Sequence, residues 1–215
     1  MAREFRIHSE KSGAIRGFVP DGYDGRFAVV YAHGYGSTVD SSWRDHRLVE
    51  QFQASGLKAL FLSVESPANA SQNVLNPDLP TILHTVATEA GIAPPRKVVA
   101  IGHSGAYRTL SRWIDYDNLK QIILLDGLFG GQLSFTKFVG RGGRLTNVAT
   151  DRTATNSDAL AKKIKVDYTR VTDDHMAIVT SGRYIPALLK RSEAAGGVPV
   201  GFFLLSAAVL LLFLR

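Results

Sequence analysis

Residues 98–110 read Val98-Val99-Ala100-Ile101-Gly102-His103-Ser104-Gly105-Ala106-Tyr107-Arg108-Thr109-Leu110, and this stretch decides the fold. Val98 to Ile101 is a short apolar run of the kind that forms a strand covered on both faces. Leu110, Trp113 and Ile114 then recur at helical spacing. Between strand and helix lies a tight turn, with a small residue two before Ser104 and another two after it. A serine at the tip of such a turn brings its i−2 and i+2 neighbours together, so bulky side chains there collide. The turn lifts the hydroxyl above the sheet edge and aims the Gly105 amide at a reacting carbonyl. An ordinary Gly/Ser turn is the plain alternative, and the flanking apolar strand and amphipathic helix speak against it.

This turn resembles the nucleophile elbow of the α/β-hydrolase superfamily, usually G-x-S-x-G, with Ala106 standing where the last glycine is usual. The resemblance spans roughly residues 10–193, with motif identity confined to three segments. It implies an α/β fold: a mostly parallel central sheet flanked by helices on both faces, with a minimal cap or none. It also implies a serine hydrolase of the esterase or lipase kind, with Ser104 as nucleophile of an acyl-enzyme. His33-Gly34-Tyr35-Gly36-Ser37 directly follows the apolar run 27–32, where the superfamily places its oxyanion loop. The backbone amides of Tyr35 and Gly105 are the expected oxyanion donors, and removing one such donor typically costs ~3 kcal/mol. A phosphate loop would require a following Lys-Ser or Lys-Thr, which this segment lacks.

The superfamily runs serine, then acid, then histidine. Thr172-Asp173-Asp174-His175-Met176 lies late, after the strand-like run 165–171, so His175 is the expected general base. His8, His46 and His84 fall on an N-terminal strand and two helices, and His103 belongs to the elbow but points off it. The acid is open between two aspartates. Asp126 closes the buried run 122–125, where a carboxylate needs a partner, and a histidine would serve. Asp151 ends the next strand, the more usual place in the superfamily, within a polar stretch beside Arg152. Asp173 and Asp174 are the remaining candidates.

Working outward, strands are expected at 4–8, 14–19, 27–32, 57–63, 97–101, 121–125, 144–149 and 165–171. Helices are expected at 42–54, 79–90, 107–114 and 176–192, the last with a kink at Pro186. Residues 1–193 form one hydrolase domain on this reading. The segment 127–143 is too short to insert a sizeable cap, so the site is expected to be open. Phe129, Phe135 and Phe138 in that segment are candidates to line an acyl pocket, or else packing anchors.

The 215-residue chain has no cysteine, which excludes thiol catalysis and disulfide frameworks. Its formal charge of +6 is spread over short basic clusters and reads as a solvated surface without nucleic-acid binding. No metal-ligand spacing and no cofactor motif occur, so the expected partner is a small-molecule acyl substrate. Residues 194–215 form a hydrophobic C-terminal tail. From 198 to 214 it is almost wholly apolar, about 26 Å as a helix, just short of a ~30 Å hydrocarbon core. We read it as a single-pass or partly inserted membrane anchor, with a packed or partner-binding helix and a sorting tail as alternatives. The charged N-terminus has no signal-peptide core. The catalytic domain is therefore expected in the cytoplasm, free or held at a membrane. Two rival functions stay open: an amidase or peptidase using the same triad, and a non-catalytic ligand-binding protein of this fold at a membrane.

Overall fold

The computed structural model describes residues 1–9 and 13–196. The apolar stretch 198–214 lies outside the described residues. Among the described residues, no helix is long and apolar enough to cross a membrane.

Eight strands form one sheet: β1 (Arg3–Ser9), β2 (Gly13–Val19), β3 (Phe27–Ala32), β4 (Leu60–Val64), β5 (Lys97–His103), β6 (Leu119–Leu125), β7 (Arg144–Ala149) and β8 (Asp167–Arg170). Their spatial order is β1-β2-β4-β3-β5-β6-β7-β8. β1 and β2 pair antiparallel, as do β2 and β4, and every later pairing is parallel. The helices are α1 (Val39–Asp45), α2 (Leu48–Ala54), α3 (Leu79–Ala90), α4 (Tyr107–Trp113), α5 (Gln132–Gly140), α6 (Ala154–Ala161), α7 (Ala177–Thr180) and α8 (Tyr184–Lys190).

Strand periodicity divides the core in two. Ala28, Val30 and Ala32 of β3 join Val98 and Ala100 of β5 beneath α3, α4 and α5. Val29 and Tyr31 turn to the other face, with Val99 and Ile101, and meet α1, α2, α7 and α8. The central strands are thus buried on both sides, which is why they read as continuous apolar runs rather than alternating ones. Such a doubly covered parallel sheet opens its crevices at the carboxyl ends of its strands.

Five expectations about elements need correction. The run 42–54 is two helices, because Arg47 takes a left-handed backbone (φ 47°) that no continuous helix allows. The last helix is also two, broken at 181–183 with Gly182 at φ 74°. Pro186 causes no kink: it lies in the first turn of α8, where its missing N–H has no intrahelical acceptor to lose. The segment 127–143 contains α5 rather than loop alone, and α6 follows β7 where no helix was expected.

Candidate active site

Ser104 begins the turn after β5 with φ 52°, a conformation that a non-glycine residue adopts only when its surroundings impose it. The surroundings do so. A Cβ on Gly102 would stand 2.8 Å from a Leu110 methyl and 3.2 Å from the Cβ of Ala106. The i−2 and i+2 residues therefore press together across the turn, with room for the methyl of Ala106 and for nothing at position 102. A short 3-10 turn over Ser104–Ala106 leads into α4.

Asp126 leaves the neighbouring strand at the same level. His103 pairs in register with Leu125, so Ser104 and Asp126 are the next residues on adjacent parallel strands. Asp126 is also left-handed, at φ 45°. Its side chain is fully buried, yet it is amply satisfied. Oδ1 accepts from the Thr150 amide (2.9 Å) and the Thr153 hydroxyl (2.6 Å), while Oδ2 accepts from the Thr150 hydroxyl (2.6 Å). His175 Nδ1 donates to Oδ2 at 2.6 Å. Burial alone pushes this carboxyl up. The hydrogen bonds from His175, Thr150 and Thr153 outweigh it and hold the group well below the usual carboxylate range.

His175 follows β8 and precedes α7. Its ring lies 4.5 Å from that of His103, the residue before Ser104. Among the described residues no hydrogen bond joins Ser104 Oγ to the imidazole; such bonds often tighten only when substrate is bound. Asp126 binds His175; Asp151 does not. Asp151 is exposed and accepts from Arg170 at 2.8 Å, because its side chain turns away from the sheet end toward solvent. Asp173 pairs with Arg183 and Tyr184, and Asp174 caps the Met176 and Ala177 amides, so neither faces the imidazole Nδ1.

The loop after β3 packs directly on the elbow. A Cβ on Gly34 would fall 2.8 Å from Ser104 Cβ, so only glycine permits this approach. The Tyr35 ring covers Gly105 so closely that a Cβ there would lie 2.4 Å from it. The Gly36 amide donates to Ala68 O at 2.9 Å, while the Tyr35 amide has no backbone acceptor among the described residues. His33 is buried; its Nδ1 donates to Gly34 O and its Nε2 lies 2.9 Å from Glu65 Oε2.

The three phenylalanines separate. Phe129 is exposed and stands edge-on to His175, with ring centres 6.1 Å apart. Phe135 and Phe138 are buried in the core under β7, because α5 turns that face inward, and they line no acyl pocket. Thr150, Thr153 and Glu65 went unremarked in the sequence, as did Arg108, which donates to the Tyr35 hydroxyl and to Gln72 O. The two threonines had a signal: hydroxyl residues just after β7, beside a strand-end carboxylate that needed partners. Among the described residues no cluster of His, Asp or Glu is arranged to hold a metal ion.

No protein-family model matches the chain, and no curated protein matches it by sequence. Solved structures do match. The S-formylglutathione hydrolase of Staphylococcus aureus superposes with a TM-score of 0.66 at 13% identity, covering 88% of this chain and 97% of that one. A ferulic acid esterase gives 0.63 at 11%, covering 89% and 97%. An α/β serine hydrolase homologue from Coxiella burnetii gives 0.58 at 17%, covering 88% and 96%. At such identities the likeness establishes the fold: this chain has the α/β-hydrolase fold.

Proposed function

We propose that this α/β-hydrolase-fold protein is a serine hydrolase that cleaves a carboxylic ester or thioester through an acyl-enzyme on Ser104. The observation that carries the reading is the 2.6 Å hydrogen bond from His175 Nδ1 to a buried Asp126 that leaves the strand beside Ser104. A carboxylate in that position holds the imidazole in the tautomer whose Nε2 accepts a proton, and it stabilises the imidazolium that results. Ser104 Oγ attacks the carbonyl carbon as its proton passes to Nε2. The amides of Tyr35 and Gly105 receive the developing oxyanion. The same proton then goes to the departing oxygen of an ester, or the departing sulfur of a thioester, and water repeats the sequence on the acyl-enzyme. The strained φ of Ser104 supports the reading too, since left-handed backbone at a non-glycine residue concentrates at functional sites. So do the structural neighbours, which include hydrolases and esterases.

The test is reaction of the purified protein with a fluorophosphonate probe, wild type beside Ser104→Ala. Labelling that disappears in the variant is the expected result. A folded wild-type protein that takes no label would overturn the reading in favour of a ligand-binding protein. Turnover of matched ester and anilide substrates separates esterase from amidase.

A further inference from the structure

Among the described residues, the large apolar side chains left exposed, apart from Met1, are Tyr35, Leu75, Phe129, Leu133 and Met176. Single exposed apolar residues scattered over a surface mean little. Four of these five lie on the segments that follow the carboxyl ends of β3, β4, β6 and β8, the edge that carries Ser104, and Leu133 lies in the first turn of α5.

Two of them adjoin His175, Phe129 by a ring contact and Met176 in sequence. Met176 is the residue after His175, and the Phe129 ring stands at 80° to it; their exposures are 44% and 43%. Phe129 is not displayed by a loose loop. Leu128 before it is fully buried, and its carbonyl accepts from Asn156 Nδ2 at 2.9 Å. Gly130 after it lies so near the Tyr107 ring that a Cβ would sit 2.8 Å away. With the backbone held on both sides, the phenyl is presented outward. Met176 is fixed likewise: its amide donates to Asp174 Oδ1 at 2.7 Å and its carbonyl accepts from the Val179 and Thr180 amides at 3.0 Å.

The chemistry says which part of a substrate meets these side chains. In acylation the Ser104 Oγ–carbonyl carbon bond forms and the bond from that carbon to the alcohol oxygen breaks. The proton taken from Ser104 travels on His175 Nε2 to the departing oxygen, which becomes an alcohol. The leaving oxygen must therefore lie at the imidazole, and the groups beside the imidazole face the alcohol portion rather than the acyl chain. Resting on the proposed hydrolase activity, we infer that the natural substrate is an ester of an apolar alcohol, whose alkyl or aryl body packs on Phe129 and Met176.

The experiment compares ethyl, butyl and hexyl acetate, whose leaving groups are nearly equal in acidity, with ethyl acetate, butyrate and hexanoate. Wild type, Phe129→Ala and Met176→Ala are assayed on both series. The expected result is a kcat/KM at least about tenfold higher for hexyl than for ethyl acetate in wild type, since each buried methylene adds to binding. That ratio shrinks in both variants, while the ratio along the acyl series stays as in wild type. A flat alcohol series in wild type, or an alcohol ratio that survives both substitutions, overturns the inference. Fluorophosphonate labelling of wild type is run alongside. Labelling with a flat alcohol series defeats only the substrate assignment, whereas absence of labelling defeats the hydrolase reading beneath it.

Discussion

His103 Nε2 donates a hydrogen bond to the main-chain carbonyl of His175 at 3.1 Å, so the residue before Ser104 holds the backbone of the residue that would serve it as base. The acceptor is a carbonyl, which places the proton on Nε2 of His103 and leaves Nδ1 unprotonated beside Gly34 in the loop after β3. The two rings also lie against each other, 4.5 Å apart and tilted by 36°. His103 thus sets the height of the imidazole over the elbow, while Asp126 sets its rotation. His103→Phe keeps a ring and removes the donor. One such hydrogen bond contributes about 0.5–1.5 kcal/mol, so kcat is expected to fall about three- to tenfold. KM should stay within about twofold, because His103 is buried beneath the site and meets no substrate. His103→Gln, which can still donate, is expected to recover part of the loss. Steady-state kinetics on the three proteins decides; a fall in Tm with unchanged kcat would make the residue structural only.

The same histidine gives stability a pH dependence. Burial first, and the neighbouring His175 second, press His103 down to about 3 from its ordinary 6.5. The native protein keeps the ring neutral through that interval, whereas the unfolded chain takes up a proton. Stability is therefore full above about pH 6.5 and falls as pH drops toward 3, by at most about 1.4 kcal/mol per unit from this group. Asp126 adds to the loss at the acid end, since its depressed carboxyl stabilises the fold above the unfolded value near 3.8 and ceases to do so as it protonates. Urea unfolding at pH 7, 5 and 4 should show a shallower decline for His103→Phe than for wild type. Parallel declines would count against a buried neutral ring.

The two aspartates left open by the sequence make a sharp comparison. Asp126→Asn retains the shape but removes the charge that steadies a protonated His175. On the proposed mechanism kcat should drop by about 10³–10⁴. Asp151→Asn removes a solvent-exposed partner of Arg170, and pairs of that kind are worth about 0–1 kcal/mol. Its kcat should match wild type. Equal losses in both, measured on one ester, would refute the assignment of the acid.

Much of this architecture was legible because the central strands announce themselves. Val98–Ile101 and 122–125 are apolar at every position, as burial on both faces requires, and α3 and β7 begin and end where spacing alone placed them. Elements with a weaker signal were misread for identifiable reasons. α5 is preceded by Gly131 in a left-handed conformation, with no side-chain cap, and its flanking glycines read as loop. α6 is rich in Thr, Asn, Ser and Asp, residues that compete with helix hydrogen bonds, and it hides only a narrow apolar face. At the candidate site, Ser104 and Gly105 stood out by the spacing of small residues around the turn, and His175 by its place after the last strand. Asp126 could not be separated from Asp151 in the sequence, because what distinguishes them in the structure is long-range: His175, 49 residues downstream, and two threonines 24 and 27 residues downstream fold back onto the Asp126 carboxylate. Phe135 and Phe138 looked like pocket residues only while their segment had no helix to turn them inward.

The close approach of the β3 loop to the elbow gives the last prediction. Gly34 does not need its glycine for backbone freedom, since its φ is not left-handed; it needs it for space. A methyl added there would lie 2.8 Å from Ser104 Cβ, 3.0 Å from His103 Nδ1 and 3.2 Å from the His103 carbonyl. None of these atoms is the free end of a flexible chain, so loop and elbow must separate by several tenths of an ångström. That moves the Tyr35 amide away from the point above Ser104 where an oxyanion would form. Misplacing one such donor costs about 10²-fold or more in kcat, whereas overpacking by one methyl costs about 1–3 kcal/mol of stability. Gly34→Ala should therefore remain folded at 25 °C and keep its fluorophosphonate site, yet lose most of its turnover. A variant that turns over ester at the wild-type rate would show that the Tyr35 amide is not an oxyanion donor.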